Sequence, residues 1–307
     1  MNSLDSSVSP AIATHGLGKR YATHQALEHL DLAIPEGCLY GLLGPNGAGK
    51  TTTLDLLMNL IGPTTGEARI LGHPCHELGP EQLRTIGYVS AEQELPQGRT
   101  VDQLCDYLAP LYPTWDSDLA TRLCRQLDLP GAQKLRRLSR GQRMKAALVL
   151  AMAFRPKVLI LDEPFSGLDA MVREDLVSAI LDPTQSEGWT VLISSHDLEG
   201  LEPLVDRIGI LQSGRLVHDA TVDRVAEGHR RVEVVFGDTP TIPDPWPTRW
   251  YGAELAGRSL RFVDVEFESE EAIRRRIPTA SSIEISEVGL RELFLAVCRP
   301  PRTAGVD

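Results

Sequence analysis

The stretch Gly44-Pro45-Asn46-Gly47-Ala48-Gly49-Lys50-Thr51-Thr52 constrains the fold of this chain more than any other segment. Ahead of it, Cys38-Leu39-Tyr40-Gly41-Leu42-Leu43 is a short apolar run that reads as a buried strand, and residues 54–60 after it are apolar with helical spacing. Strand, glycine loop and helix in this order make an anion cradle. Glycines 44, 47 and 49 reach backbone angles that other residues resist, so N–H groups can converge on one concavity at a helix N-terminus. Such a concavity suits the phosphates of a nucleotide, with Lys50 reaching the β- and γ-phosphates and the Thr51 hydroxyl able to ligate Mg²⁺.

A chain of 307 residues suggests two domains. Its 31 basic and 42 acidic residues give a net charge of −11, which argues against a general affinity for nucleic acid or anionic lipid. The five cysteines (38, 75, 105, 124 and 298) are scattered and lack Cys-x-x-Cys spacing, so neither a disulfide framework nor a zinc site is indicated and a reducing, cytoplasmic setting fits. The first residues, Met1 to Ser7, have no basic start or apolar core, and the longest apolar run, Ala146 to Phe154, is well short of the ~20 residues that span a bilayer. Any membrane role is then expected to run through a partner.

From Ala11 to about Thr221, short apolar strands alternate with helical stretches, as a mostly parallel sheet flanked by helices requires. Expected strands are Leu30–Ile34, Leu39–Leu43, Glu67–Leu71, Ile86–Val89, Val158–Leu161, Thr190–Ile193 and Arg207–Leu211. Between Thr100 and Asp128 the strands stop, and a helical insert is expected, spanning about 95–156 in all. A different composition begins near Glu227, with strands Arg231–Phe236, Leu260–Phe267 and Ile283–Ile285, helices Glu270–Arg276 and Leu290–Arg299, and a Pro-rich loop Thr239–Pro247. The expected division is therefore 1–226 for the nucleotide-binding part and 227–307 for a small α+β appendage. The apolar face of Leu290, Leu293, Phe294 and Val297 is expected to form that appendage's own core. His73-Pro74-Cys75-His76 reads as a turn rather than a metal site, and Arg274-Arg275-Arg276 as a solvated helix face behind Glu270 and Glu271.

Two further motifs carry chemistry. Val158-Leu159-Ile160-Leu161-Asp162-Glu163 ends an apolar strand in two carboxylates, at the sheet edge where open α/β folds bind ligands. Asp162 can hold Mg²⁺, and Glu163 can polarise a water in line with the γ-phosphate. Leu138-Ser139-Arg140-Gly141-Gln142 opens a helix running to about Phe154. Ser139 with Gln142 can close a capping box, and the same helix start can serve as an anion site.

The order of glycine loop, LSxGQ-like sequence and Asp-Glu strand end resembles the nucleotide-binding domain of ABC ATPases. The resemblance implies an α/β fold, a P-loop NTPase sheet core with an inserted helical subdomain, here followed by the α+β appendage. It also implies roles. Ser166-Gly167-Leu168-Asp169 resembles the D-loop, with Asp169 near a dimer axis; His196, after Val191-Leu192-Ile193-Ser194-Ser195, matches the switch histidine at the γ-phosphate; and Tyr21 resembles the aromatic that stacks on adenine. Ser139, Gly141 and Gln142 would cap ATP held on another subunit's glycine loop. One copy of each motif then implies a homodimer, or a dimer with a related ATPase subunit. Two departures stand out. The Mg²⁺-contacting glutamine expected after Ile86–Val89 falls at Ala91, with Glu92 or Gln93 as substitutes, and the signature's central glycine is Arg140.

The appendage, the closing Leu290-Arg291-Glu292-Leu293-Phe294 and the inserted Tyr112-Pro113-Thr114-Trp115-Asp116 resemble exporter ATPases of the ABC-2 type. That implies an ATP-hydrolysing subunit, peripheral on the inner face of a cell membrane, with ATP and Mg²⁺ as cofactors and separate transmembrane permease subunits as partners. The alternative is a soluble ABC ATPase acting on nucleic acid or ribosomes, which would ordinarily bring a long coiled coil or a second nucleotide domain. A non-hydrolysing ATP sensor would require loss of Glu163 or His196, and both are here.

Overall fold

A computed structural model describes residues 9–90, 93–243, 245–299 and 302–303. Its centre is a six-stranded sheet in the spatial order Ile86–Val89, Val158–Asp162, Thr190–Ser195, Leu39–Leu43, Arg207–Gln212 and Arg215–Thr221. The first five strands run parallel and the last is antiparallel. Strands 39–43, 158–162 and 190–195 are buried at every position, as a parallel sheet covered on both faces demands, and this is why they read as unbroken apolar runs. Because these strands are parallel and in register, with Leu43 opposite Ser195 and Asp162 opposite Ser194, their C-terminal ends reach one edge of the sheet together.

A second, antiparallel sheet takes His24–Ile34, Ile12–Tyr21, Thr65–Ile70 and His73–Pro74 in that order. The segments 30–34 and 67–71 were expected in the parallel sheet and belong here. Their alternation of buried and exposed residues is the mark of a sheet with one wet face, and it separates them from the fully buried strands. His73–Pro74 pairs briefly with Arg69 and Ile70 before a helical turn at Cys75–Glu77, and the described residues contain no cluster of potential metal ligands.

Helices Val101–Leu108, Ser117–Gln126 and Arg140–Met152 fill the region expected to be helical, each begun by a side-chain cap: Thr100, Asp116 and Ser139. The helix after the glycine loop spans Lys50–Leu57, starting and ending earlier than the apolar run 54–60 implied.

The C-terminal region builds a third sheet, ordered Ala280–Glu287, Arg230–Phe236, Ser259–Asp264, Trp250–Ala256 and Arg302–Thr303. One face packs its own core of Val232, Val234, Phe236, Leu260 and Ile273, with Trp250 and Phe262 stacked at 3.9 Å between ring centres. The helix Leu290–Cys298 corrects the sequence reading. Leu290, Leu293 and Val297 are buried in the main core with Leu39, Leu204, Ile208 and Ile210, and Phe294 packs against the same cluster. On its other side the helix sits on the strand 250–256 so closely that a Cβ at Gly252 (φ +59°) would lie 2.9 Å from the Ala296 Cα. Helical periodicity shows that a face is buried but not which layer covers it. The arginines 274–276 are exposed as expected, Arg274 pairing with Glu270 at 2.8 Å. No described helix is long and apolar enough to cross a membrane.

Candidate functional site

The glycine loop leaves the central strand at Gly44, whose N–H donates to the Ser195 carbonyl at 3.2 Å. Two of its glycines are sterically required. A Cβ at Gly44 would lie 2.4 Å from the Leu211 carbonyl oxygen, and at Gly49 (φ +109°) 2.6 Å from that of Ala26. Ala48 is buried, its N–H bonded to the Pro45 carbonyl and its carbonyl to Gly214 N–H, while Pro45, Asn46 and Gly47 stay exposed at the tip. Gly49 is the N-cap of the helix beginning at Lys50 and offers no side-chain oxygen, so the first N–H groups of that helix, Thr51 and Thr52 among them, are open to an external anion.

Five side chains predicted from sequence meet here. Lys50 is buried, and its ammonium is held by the carbonyls of Gly44 (2.8 Å) and Pro45 (3.3 Å) and by the Glu163 carboxylate (3.2 Å). Thr51 Oγ1 donates to Asp162 Oδ2 at 3.0 Å. The second Glu163 oxygen lies 2.6 Å from His196 Nδ1 and 3.3 Å from the His196 backbone N–H. A carboxylate can only accept, so the proton of that short contact sits on Nδ1. Glu163 itself has φ +49°, a left-handed conformation that costs a non-glycine residue on the order of 1–3 kcal/mol.

Ser194 was not singled out from sequence, and it organises the cluster. Its hydroxyl donates to Asp162 Oδ1 and accepts the Glu163 N–H at 3.0 Å, so one side chain orients the Asp162 carboxylate and secures the strained Glu163 peptide. Asp55 lies one helical turn beyond Thr51. Burial, and after it the charge of Asp162, hold its carboxyl above the usual range. A hydroxyl and a buried carboxylate in direct contact are hard oxygen donors, the set that suits Mg²⁺.

The remaining predicted residues lie elsewhere. Ser139 caps the helix 140–152, accepting from Gln142 N–H at 3.1 Å while the Gln142 side chain returns a bond to the Ser139 N–H at 3.0 Å. Gly141 is buried where a Cβ would meet Val172 at 3.1 Å, which packs this helix start against the segment after Asp169. Asp169 caps the helix Ala170–Glu187 through Val172 N–H. Among the described residues, no hydrogen bond or ion pair joins Ser139, Gly141, Gln142 or Asp169 to Lys50, Thr51, Asp162 or Glu163. Tyr21 ends the strand 12–21, is 44% exposed, and carries the Lys19 ammonium 5.1 Å from its ring centre. Ala91 and Glu92 lie outside the described residues; Gln93 is exposed and bonds through its backbone to Ser90.

Residues 27–166 match the family described as ABC transporter. The chain is 34% identical over 302 residues to the daunorubicin resistance ATP-binding protein DrrA3 of Streptomyces coeruleorubidus, covering 94% of this chain and 92% of that one. It is 33% identical over 220 residues to the ABC transporter ATP-binding protein YtrB of Bacillus subtilis (strain 168), covering 72% and 75%. Among solved structures it is similar to the dimeric post-hydrolysis state of the ATP-binding cassette MJ0796 bound to ADP and Pi. That likeness has a TM-score of 0.62 and 25% identity, over 68% of this chain and 98% of that one. With a phosphate cradle, a carboxylate pair and a histidine converging at one sheet edge, and relatives matched over most of their length, the chain belongs to the ATP-binding proteins of ABC transporters.

Proposed function

We propose that the chain is the ATP-hydrolysing subunit of an exporter, acting at the inner face of a membrane with separate membrane-spanning subunits. The Lys50–Glu163–His196 cluster is the observation that carries the catalytic part. Lys50, which now bridges loop carbonyls and Glu163, exchanges the carboxylate for phosphate oxygens when a triphosphate occupies the loop. Glu163 is thereby released to accept a proton from the attacking water, and His196, fixed through Nδ1, keeps it aimed. Thr51 and Asp162 would hold Mg²⁺, which when bound neutralises charge on the β- and γ-phosphates. Tyr21 is the proposed adenine platform, and Gln93 or Glu92 stands in for the missing glutamine at 91.

Ser139, Gly141, Gln142 and Asp169 make no bond to this cluster, which supports their acting on the ATP of a second subunit. Residues 1–226, including the helical part at about 95–156, form the motor in this reading and 227–307 the accessory domain. Export is supported by the relative named for daunorubicin resistance, which the chain matches over 92% of its length. The test is recovery of the affinity-tagged chain from detergent-solubilised membranes of its own cells. The expected result is co-purification with a subunit of about six apolar spans and an ATPase rate that rises in its presence. A chain found wholly in the soluble fraction, with no such companion, would remove the exporter reading while leaving the ATPase intact.

A further inference from the structure

Arg173, in the first turn of the helix 170–187, has a side chain only 18% exposed, and its Nε is buried with no hydrogen-bond partner among the described residues. A buried guanidinium donor left unpaired costs stability, and the carboxylate that Arg173 does reach, Glu199, is 63% exposed, where an ion pair returns little. Stability alone does not explain why an arginine lies here.

What the arginine holds are two segments of the site. Its Nη2 donates to the Leu168 carbonyl at 3.2 Å and its Nη1 to Glu199, whose carboxyl this bond, and after it the arginine charge, keep below the usual range. The backbone of the second segment is shaped around the side chain. At Gly200 (φ +80°) a Cβ would lie 2.4 Å from Arg173 Cδ and 2.6 Å from Cγ, so only glycine lets the chain pass over the arginine stem. Each segment is also stiffened by bonds of its own. In the first, the Glu163 carbonyl accepts the Ser166 N–H at 3.1 Å and the Phe165 carbonyl accepts the Leu168 N–H at 3.3 Å. In the second, Ser195 Oγ accepts the Asp197 N–H at 3.3 Å, Asp197 Oδ1 accepts the Glu199 N–H at 2.9 Å, and Leu198 and Leu201 are buried in the main core. One segment begins at Glu163 and the other at His196, so the two are tied twice: by the Glu163–His196 contact at 2.6 Å, and by Arg173 at their far ends.

We infer that Arg173 is a positioning residue for hydrolysis, holding the segments 163–168 and 196–200 at the separation that keeps His196 Nδ1 on the Glu163 carboxylate. The inference rests on the reading of Glu163 as the proton acceptor and His196 as the group that aims it. The planar fork of an arginine suits this task, since it meets a carbonyl on one segment and a carboxylate on the other at once. Without it the far tie is lost and the His196 ring can turn from Glu163. A base held slightly off line slows the chemical step, while the phosphate contacts of Lys50 and Thr51 stay as they were.

The experiment uses the full chain. Arg173→Ala is expected to lower kcat for ATP hydrolysis on the order of tenfold while the KM for ATP moves by less than about threefold. Arg173→Lys, whose ammonium can meet one acceptor but lacks the fork, should fall between parent and alanine variant. Glu199→Ala cuts the same tie at its exposed end and is expected to repeat the loss without disturbing a buried side chain. The second readout is the His196 ring in the nucleotide-free chain labelled with ¹⁵N-histidine, its signals assigned by their absence from His196→Gln. Long-range proton–nitrogen correlations, at a pH where the ring is neutral, are expected to show Nδ1 protonated in the parent and a mixture with the Nε2-protonated form in Arg173→Ala and Glu199→Ala. Loss of turnover with Nδ1 still fully protonated would make Arg173 a support of the fold only, and unchanged kcat in both variants would make it idle; either result overturns the inference. Undiminished turnover in Glu163→Gln would instead remove the underlying reading.

Discussion

Glu163 shows how much a single residue is asked to do. It sits in a left-handed conformation, pairs with Lys50 and His196, and has its N–H tied to Ser194. Glu163→Gln keeps the shape and the backbone while removing the proton acceptor, so ATP turnover is expected to fall on the order of 10²–10⁴-fold, with ATP binding retained. A steady-state phosphate-release assay beside a nucleotide-binding titration separates the two, and undiminished turnover would remove Glu163 from the base role. Lys50→Ala has the opposite signature: loss of a charge-assisted contact should weaken ATP binding roughly 10- to 100-fold. Ligand-binding titration reads this directly, and an unchanged affinity would count against Lys50 as a phosphate ligand. Lys50, Thr51, Asp162, Glu163 and His196 were legible because each lies in a motif whose spacing has a mechanical reason. Ser194 was not, since a serine closing an apolar strand is ordinary until the neighbouring strand sets it against Asp162.

The segment Tyr112–Asp116 stood out in the sequence by its resemblance to exporter ATPases, but its anchorage lies far along the chain. Tyr112 stacks on Phe154 at 4.2 Å, Thr114 Oγ1 donates to the Phe154 carbonyl at 2.5 Å, and the Asp116 N–H donates to the Ala153 carbonyl at 2.7 Å. Arg155, itself at φ +52°, then grips Asp116 through Nε at 2.8 Å and Nη2 at 2.5 Å and reaches Glu187 with Nη1. The end of the signature helix is thus pinned to the start of the helix 117–126 and to the end of the helix 170–187. Asp116 also caps its own helix, and that N–H bond from Leu119, followed by the Arg155 contact, keeps its carboxyl below the usual range. Asp116→Ala loses both cap and clamp and is expected to cost about 1–2 kcal/mol. Arg155→Ala, which leaves the cap and removes two partly exposed ion pairs, should cost about 1 kcal/mol or less. Urea unfolding of the two variants orders them; equal losses would mean that the cap carries none of the effect. The Ser139 cap was read from sequence, whereas the Asp116 cap and the partners of Arg155 were not, the latter because they lie on separate elements.

The C-terminal region is part of the same folded body as the motor. Its last helix shares the main core, Gln212 Nε2 donates to the Cys298 carbonyl at 3.2 Å, and the Tyr251 hydroxyl donates to the Val217 carbonyl at 2.8 Å. The change of composition near Glu227 gave no sign of this joint, which depends on which layer the helix 290–298 covers. Leu293→Ala, at a fully buried position, is therefore expected to destabilise the whole chain by about 2–5 kcal/mol rather than loosen the appendage alone. A second element of the joint is a histidine pair. His218, on the strand 215–221, and His229, after the helix 222–228, approach Nε2 to Nε2 at 3.2 Å, and Tyr251 meets the His218 ring edge-on. Such a contact needs one nitrogen to donate and the other to accept, so it fails once both rings are charged. Burial lowers both to about 4 from 6.5, the charge of one ring adding to the effect on His229. The unfolded chain therefore takes up protons first as pH falls. The stabilisation is complete above 6.5 and is lost progressively as pH drops toward 4, by roughly 3 kcal/mol for each histidine at most and less for the coupled pair. His218→Phe keeps the edge contact with Tyr251 and removes one titrating ring, so its unfolding free energy should fall less steeply than the parent's between pH 6.5 and 4.5. Parallel slopes for the two proteins across that window would show that the pair titrates alike in the folded and unfolded chain.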